Sequence, residues 1–514
     1  MSTSKYSRGG ILTLITFFAM TLSCNKLDLK PLDRVTTDTF YKTVADFDGA
    51  TFASYASIQD FWGTSTETIG EMGEFWKISL VSTDDVDADP DLADGRALDI
   101  DRLLFRAADI PWAALYTQVY EGILRANLVI ENAAGENELT DEEKTRFTAE
   151  AKFLRGFFHF IALQMWGTPP LVLEVKKDLT DLAVPNATKD ELYASILSDF
   201  EDAATNLPDA WDEGNLGRAT KWAAKSFIGK VNVWKEDWPA AITAFEDVIA
   251  NGPYSLMPDY EDVFDFAKEN NAESIFEIQF GGPFSDDNLW VFDDTHSEAF
   301  KASQGIARVW YFDPSNDAPG GHLGWFIPSQ NLVDEFEAND PRLESSIYKL
   351  GDTFKTIDGT SIAELPFDPE WTSSGYSIKK YGGERNTKAS DYSPNGQAQF
   401  NNERWYRYAE LLLLYAEALI KSGRAPEAMD IINNDIRARV GLGATTIADP
   451  MLALQHEKRV EMAFEPHRWF DIVRWGLGPT IFGSKWQDKY KVFPIPQSEI
   501  DRSEGLLNQS DPGY

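Results

Sequence analysis

Cysteine occurs once in 514 residues, at Cys24, so no disulfide can form within the chain. Basic residues are also scarce: 47 Lys and Arg stand against 83 Asp and Glu, a net charge of −36 at pH 7. A surface with that balance repels phosphate backbones and anionic head groups, which argues against nucleic acid as a partner. Histidine is limited to five scattered copies. Where His456-Glu457 begins like a zinc-protease helix, Val460 takes the place of the second ligand. Gly441-Leu442-Gly443 lacks the last glycine of a dinucleotide loop and follows a helical stretch instead of a strand. Neither a Walker loop nor a Gly-x-Ser-x-Gly elbow occurs. The run Asp84-Asp85-Val86-Asp87-Ala88-Asp89-Pro90 starts like a calcium loop. However, Pro90 occupies the glycine position and Arg96 that of the final Glu, so it reads as a solvated acidic loop. These patterns imply no cofactor, no metal and no catalytic residue.

Hydrophobic runs of membrane-spanning length are missing too. The longest, Ile11 to Leu22, is too short to cross a bilayer as a helix. With Lys5 and Arg8 before it and Ser23-Cys24 after it, the layout is that of a secretory signal peptide over residues 1–23. The cleavage site resembles a bacterial lipobox, although Thr21 stands where a branched apolar residue is usual. Cleavage there would leave Cys24 as the first residue, ready to carry lipid. Residues 24–39 are polar, contain Pro31 and read as a tether.

The remainder has ample core material, with 43% apolar and 13% aromatic residues. Its length favours two lobes over a single core. Helical periodicity dominates 40–280: Phe40 to Phe61, Trp112 to Asn132, Glu142 to Trp166, and a helix opened by the capping box Thr188/Glu191 and ending at Pro208. From Lys221 to Pro253, Gly229, Ala241, Phe245 and Pro253 fall at tetratricopeptide-repeat offsets, with Asn232 in place of an aromatic. Ala416, Gly423, Ala428 and Ile432 make a second copy. Gly156 opens a third, whose partner helix is delayed to Thr188. Residues 281–400 differ. Paired glycines at 281, 320 and 382, several prolines and Trp290, Trp310, Trp325 and Trp371 indicate loops with short strands. Residues 401–514 return to helix. The expected fold is mainly α: tetratricopeptide-like hairpins as scaffold, with a loop-rich insertion carrying short strands.

The most specific text runs from Glu457 to Gly476 and includes Arg459, Glu461, Glu465-Pro466-His467-Arg468-Trp469-Phe470-Asp471 and Arg474-Trp475. It is followed by Phe493-Pro494-Ile495-Pro496 and Pro512-Gly513-Tyr514. Upstream lie Tyr408-Ala409-Glu410, Arg437-Ala438-Arg439, Ala149-Glu150-Ala151 with Phe153-Leu154-Arg155, and Leu27-Asp28-Leu29. Together these strings resemble the SusD/RagB family of Bacteroidetes surface lipoproteins, along nearly the whole chain. The resemblance implies a lipid-anchored outer-membrane protein that binds oligosaccharide or polysaccharide and delivers it to a TonB-dependent transporter, without chemistry. Capture of peptide or another nutrient on the same scaffold, a protein-interaction scaffold, and a surface glycoside hydrolase are the alternatives.

The alternating charges Glu457, Arg459, Glu461, Arg468, Asp471 and Arg474 read as structural. Arg forks pairing with carboxylates beside Trp469 and Trp475 would fix two helical segments around Pro466. Ligand candidates are aromatics in Gly-, Pro- and Asp-rich surroundings, because pyranose C–H faces pack on flat rings. Trp62 lies beside Gly63 and Trp76 precedes the acidic loop, while Trp290, Trp310, Tyr311 and Trp325 belong to the insertion. The family resemblance adds that an N-terminal loop region and this insertion combine into one site. Trp112, Trp166, Trp222, Trp234, Trp469 and Trp475 fall within scaffold motifs and are expected in the core.

Overall fold

The computed structural model describes residues 40–59, 61, 74–176, 182–280, 312, 323–358, 361–381 and 401–514. Cys24, the signal peptide and the tether lie outside the described residues.

Long helices form where capping and an apolar face coincide. The first are α1 (Val44–Gln59) and α2 (Glu74–Val81), followed by the short strand β1 (Val86–Ala88), α3 (Gly95–Asp101) and α4 (Ile110–Ala133). α5 (Asp141–Trp166) opens on a capping box in which the Thr140 hydroxyl accepts from the Glu143 amide and the Glu143 carboxylate accepts from the Thr140 amide. Gly167, at φ 73°, ends it. α6 (Lys189–Asn206) opens on a second capping box, Thr188/Glu191, as the sequence indicates. α7 (Lys221–Trp234) and α8 (Trp238–Asn251) follow.

These helices pack in sequence, each on its predecessor from α4 to α8, with α1 against α4 and α5. Small residues set the closest approaches. A Cβ on Gly229 would stand 2.3 Å from a ring carbon of Phe245, and one on Gly156 would stand 3.2 Å from Asp199 Cβ. The two repeat glycines are therefore where α7 meets α8 and α5 meets α6. The delayed partner helix after Gly156 is α6.

Strand β2 (Ser274–Ile278) leads out of the helical stack. The described part of the 281–400 region contains β3 (Phe326–Pro328), α9 (Gln330–Glu335), α10 (Pro341–Ser346), β4 (Ile347–Tyr348), the hairpin β5 (Thr353–Asp358) and β6 (Ser361–Pro366), and β7 (Ser377–Ile378). The chain then returns through β8 (Glu403–Arg407), which pairs antiparallel with β2 and closes the base of the insertion. α11 (Tyr408–Lys421) packs on α8 and adds α12 (Ala425–Asp430), a hairpin turned by Gly423 at φ 79°. A π-helical turn, Ile431–Arg437, extends α12. α13 (Pro450–Glu461), α14 (Arg468–Arg474), α15 (Gly478–Phe482) and α16 (Gln497–Arg502) complete the chain. The fold is thus mainly helical, with only two-stranded sheets among the described residues.

Most of the buried apolar side chains join one cluster that runs from Ile58 to Leu507 and passes through both helical regions. Beside it lies a second, ionic core. Arg407 is fully buried and reaches Glu273 and Glu461 at 2.7 Å and Glu465 at 2.8 Å. Arg342, equally buried, reaches Glu457 at 2.6 Å and Asp340 at 2.7 Å. Arg437 joins Glu457 to Glu337, Arg439 joins Glu273 to Glu461, and Lys380 holds Glu465. Burial opposes ionisation of Glu461, but Arg439, Arg407 and Arg342 outweigh it and hold its carboxyl far below the usual range. Asp471 behaves alike: Lys458 and Arg474 overcome its burial and bring it down to about 2.

Two outcomes test this packing. Gly229→Ala should gain about 1 kcal/mol of helix propensity, yet lose about 1–3 kcal/mol to overpacking against Phe245. A lowered melting temperature is expected, recovered in part by adding Phe245→Leu; a variant melting above the parent contradicts the close crossing. For Asp471→Asn, the cost at pH 7 should be about 3–5 kcal/mol, since Lys458 and Arg474 lose their buried counter-charge. The folded pKa lies below the unfolded 3.8, so the carboxylate's stabilisation is complete above that value and disappears as pH falls toward 2. Urea melts of parent and variant should therefore converge between pH 4 and 2. A gap that does not change with pH argues against ionic stabilisation.

Candidate functional site

The acidic run after α2 is not the solvated loop that its composition suggests. Asp85 is 2% exposed and Asp89 1%, whereas Asp87 faces solvent. Three interactions turn the run inward. Arg468 grips Asp84 with Nε and Nη2, each at 2.9 Å. Arg459 donates Nε to Asp85 at 2.7 Å and pairs with Asp84 and Glu335 at 3.0 Å. Asp89 accepts from the amides of Asp91 at 2.9 Å, Leu92 at 3.2 Å and Ser373 at 3.0 Å. Alternating charge in the C-terminal motif is thus structural, as expected, but Arg468 and Arg459 reach nearly four hundred residues back along the chain. Only Arg474 pairs locally, with Asp471, while also holding Glu417 and lying 4.7 Å over the ring of Trp475.

Held in this way, β1 pairs antiparallel with β3, Asp87 opposite Ile327 and Ala88 opposite Phe326. The Asp89 amide extends the ladder to the Trp325 carbonyl at 2.8 Å, and Ser329 closes its other end by donating Oγ to the Asp84 carbonyl at 2.6 Å. This seam joins the N-terminal loop region to the insertion. It places Trp325 half-buried at the margin, edge-on to Phe326, next to the turn of Asp89 and Ser373. Sequence reasoning missed Asp89 and Ser373. Nothing along the chain marks Ser373 as the partner of a carboxylate 284 residues away.

Of the sequence candidates, Trp325 is a partly exposed ring. Trp76 is a correction: it is 1% exposed, packed edge-on against Phe312 at 5.3 Å and Phe326 at 5.7 Å. It lies on α2 beneath the seam, so neither ring face is free to stack on a ligand. Trp62, Trp290, Trp310 and Tyr311 lie outside the described residues. The expected core tryptophans Trp112, Trp166, Trp222 and Trp469 are buried, while Trp234 and Trp475 are partly buried. Around the seam, the inward carboxylates Asp84, Asp85 and Asp89 are each taken up by a guanidinium or by backbone amides. What the site offers is an indole at a fixed edge, backed by a rigid turn.

Comparison with known proteins bears on what this arrangement belongs to. A family model described as "SusD family" matches residues 272–491, and one described as "Starch-binding associating with outer membrane" matches 96–233. SusD-like protein P2 of Formosa agariphila is 26% identical over 535 residues, spanning 98% of this chain and 99% of its own. Among solved structures, a laminarin-binding SusD-like protein superposes with a TM-score of 0.76 at 23% identity, over 92% of this chain and 100% of the other. Surface glycan-binding protein A of Bacteroides thetaiotaomicron, in complex with laminarihexaose, gives 0.74 at 22% identity, over 90% and 99%. Two matched segments, one within the N-terminal helices and one running from the β2 entry point into the C-terminal helices, and a relative aligned end to end agree: this chain belongs to the SusD family.

Proposed function

We propose that this protein is a glycan-binding lipoprotein of the outer membrane. It captures oligosaccharide at the seam between its N-terminal loop region and its insertion and passes it to a TonB-dependent transporter, without chemistry of its own. The observation that carries the reading is the β1–β3 seam, which brings those two regions together around the partly buried indole of Trp325. The laminarin-binding relative and the laminarihexaose complex support a sugar as the ligand class. Trp62, Trp290, Trp310 and Tyr311 are the further rings proposed to stack on it. The helical-hairpin face, built from α7, α8, α11 and α12, is the proposed transporter-docking surface, since stacked hairpins present an extended face to a partner. Anchoring is assigned to Cys24.

Replacing Trp325 by Ala should weaken binding by about 1–3 kcal/mol, by analogy with bases stacked on aromatic side chains, and lower the melting temperature only modestly, since the partly buried ring also packs on Phe326 and the core. The measurement is calorimetry on a polysaccharide panel that includes laminarin, with Trp62, Trp290, Trp310 and Tyr311 each changed to Ala in parallel. Unchanged affinity in all five variants would remove the site assignment. Separately, Cys24→Ala should shift the protein out of the outer-membrane fraction. If it persists there, the lipid anchor is wrong. Native membranes solubilised in mild detergent should yield the lipoprotein together with a transporter barrel.

A further inference from the structure

A concavity opens beside β1. It is a cleft of about 910 Å³ between β1, α3 and α9 on one side and α13 and α15 on the other. That volume lies within the range of small-ligand sites. Its lining is mixed. Leu477, Ile481, Phe482 and Leu452 are apolar, the last 57% exposed on the first turn of α13. The same lining holds polar groups with no hydrogen-bond partner among the described residues: the Asp87 carboxylate of β1, the Gln455 amide of α13 and the Lys485 ammonium after α15. Arg468 adds a donor. Its side chain is nine-tenths buried and Asp84 takes up Nε and Nη2, which leaves Nη1 without a hydrogen bond to a described residue. Asp101 accepts only a 3.5 Å contact from the Ala88 amide, and burial together with Asp87 pushes its carboxyl up to about 6.

Unused donors and unused acceptors therefore line the same space as several apolar side chains. The lining charges nearly cancel: carboxylates of Asp84, Asp87, Asp101 and Glu335 are set against Arg459, Arg468, Lys485 and the His456 imidazole. A polyanion or a polycation gains little from such a lining. Hydroxyl groups, each able to donate and to accept, can use both kinds of free group, while ring C–H faces cover Leu452, Ile481 and Phe482. From this we infer that the cleft is a second carbohydrate site, for a neutral pyranose oligosaccharide, separate from the Trp325 seam. The inference rests on the glycan-binding reading and extends it to another part of the same surface protein.

The test uses the full lipid-free chain with methyl-labelled Ile and Leu, titrated with laminarihexaose and with maltohexaose, and with calorimetry in parallel. Saturable shifts of the Ile447, Leu452 and Ile481 methyls are expected with at least one of the sugars. They should weaken at least tenfold in the double variant Asp87→Ala/Lys485→Ala, whose side chains hold no hydrogen bond that folding would lose. They should persist in Trp325→Ala. If these methyls stay still while calorimetry still records sugar binding that Trp325→Ala weakens, the cleft assignment falls and the seam stands. Absence of sugar binding by both methods overturns both. If tetra-alanine moves the methyls and the two sugars do not, the cleft is a peptide site and the carbohydrate assignment is overturned.

Discussion

The buried pairing of Arg407 with Glu273, Glu461 and Glu465 is the contact on which the rest of the molecule depends. Arg407 closes β8, Glu273 precedes β2, Glu461 ends α13 and Glu465 follows it, so one guanidinium fastens both ends of the insertion to the C-terminal helices. Arg342 and Lys380, from within the insertion, bind Glu457, Glu461 and Glu465 of the same segment. Taking so many charges out of water is costly, and a well-packed apolar cluster could equal their net stability. The arrangement supplies register instead. A charge shifted by one residue would be left buried without a partner, which makes alternative placements of the insertion expensive.

The same principle, carried a step further, builds the proposed site. Arg459 and Arg468 extend the ionic core to Asp84 and Asp85, and that anchoring sets where β1 begins. Once β1 is set, its pairing with β3 fixes Trp325 and the Asp89 turn. The chain of dependence runs from α13 and α14, through two guanidiniums, to a three-residue ladder at the binding edge. The same anchoring engages the inward carboxylates of the acidic run: Asp84 and Asp85 pair with guanidiniums, and Asp89 is capped by three backbone amides.

The legible part of the fold was whatever depends on nearest neighbours along the chain. Thr188 and Glu191 form their capping box because both partners lie within one turn. Gly229 and Phe245 stand at repeat spacing, and they meet because a short turn returns α8 onto α7. Trp76 shows the limit. Its setting before an acidic run resembles that of an exposed ring, but Phe312 and Phe326, more than two hundred residues later, fold over it. The acidic run was misjudged for the same reason, since Arg459 and Arg468 answer its charge from the far end of the chain.

By itself, the sequence determined the helical class, the repeat hairpins, the structural role of the C-terminal charge motif and the family, because local periodicity and spaced motifs carry that information. Tertiary structure alone decided which carboxylates turn inward, that Trp76 is buried while Trp325 keeps part of its ring exposed, and where unpaired polar groups gather into a cleft. The physical reason is that burial and ion pairing belong to pairs of residues. For Asp84 with Arg468, or Ser373 with Asp89, the partners are hundreds of positions apart, and no pattern read along the chain links them before it folds.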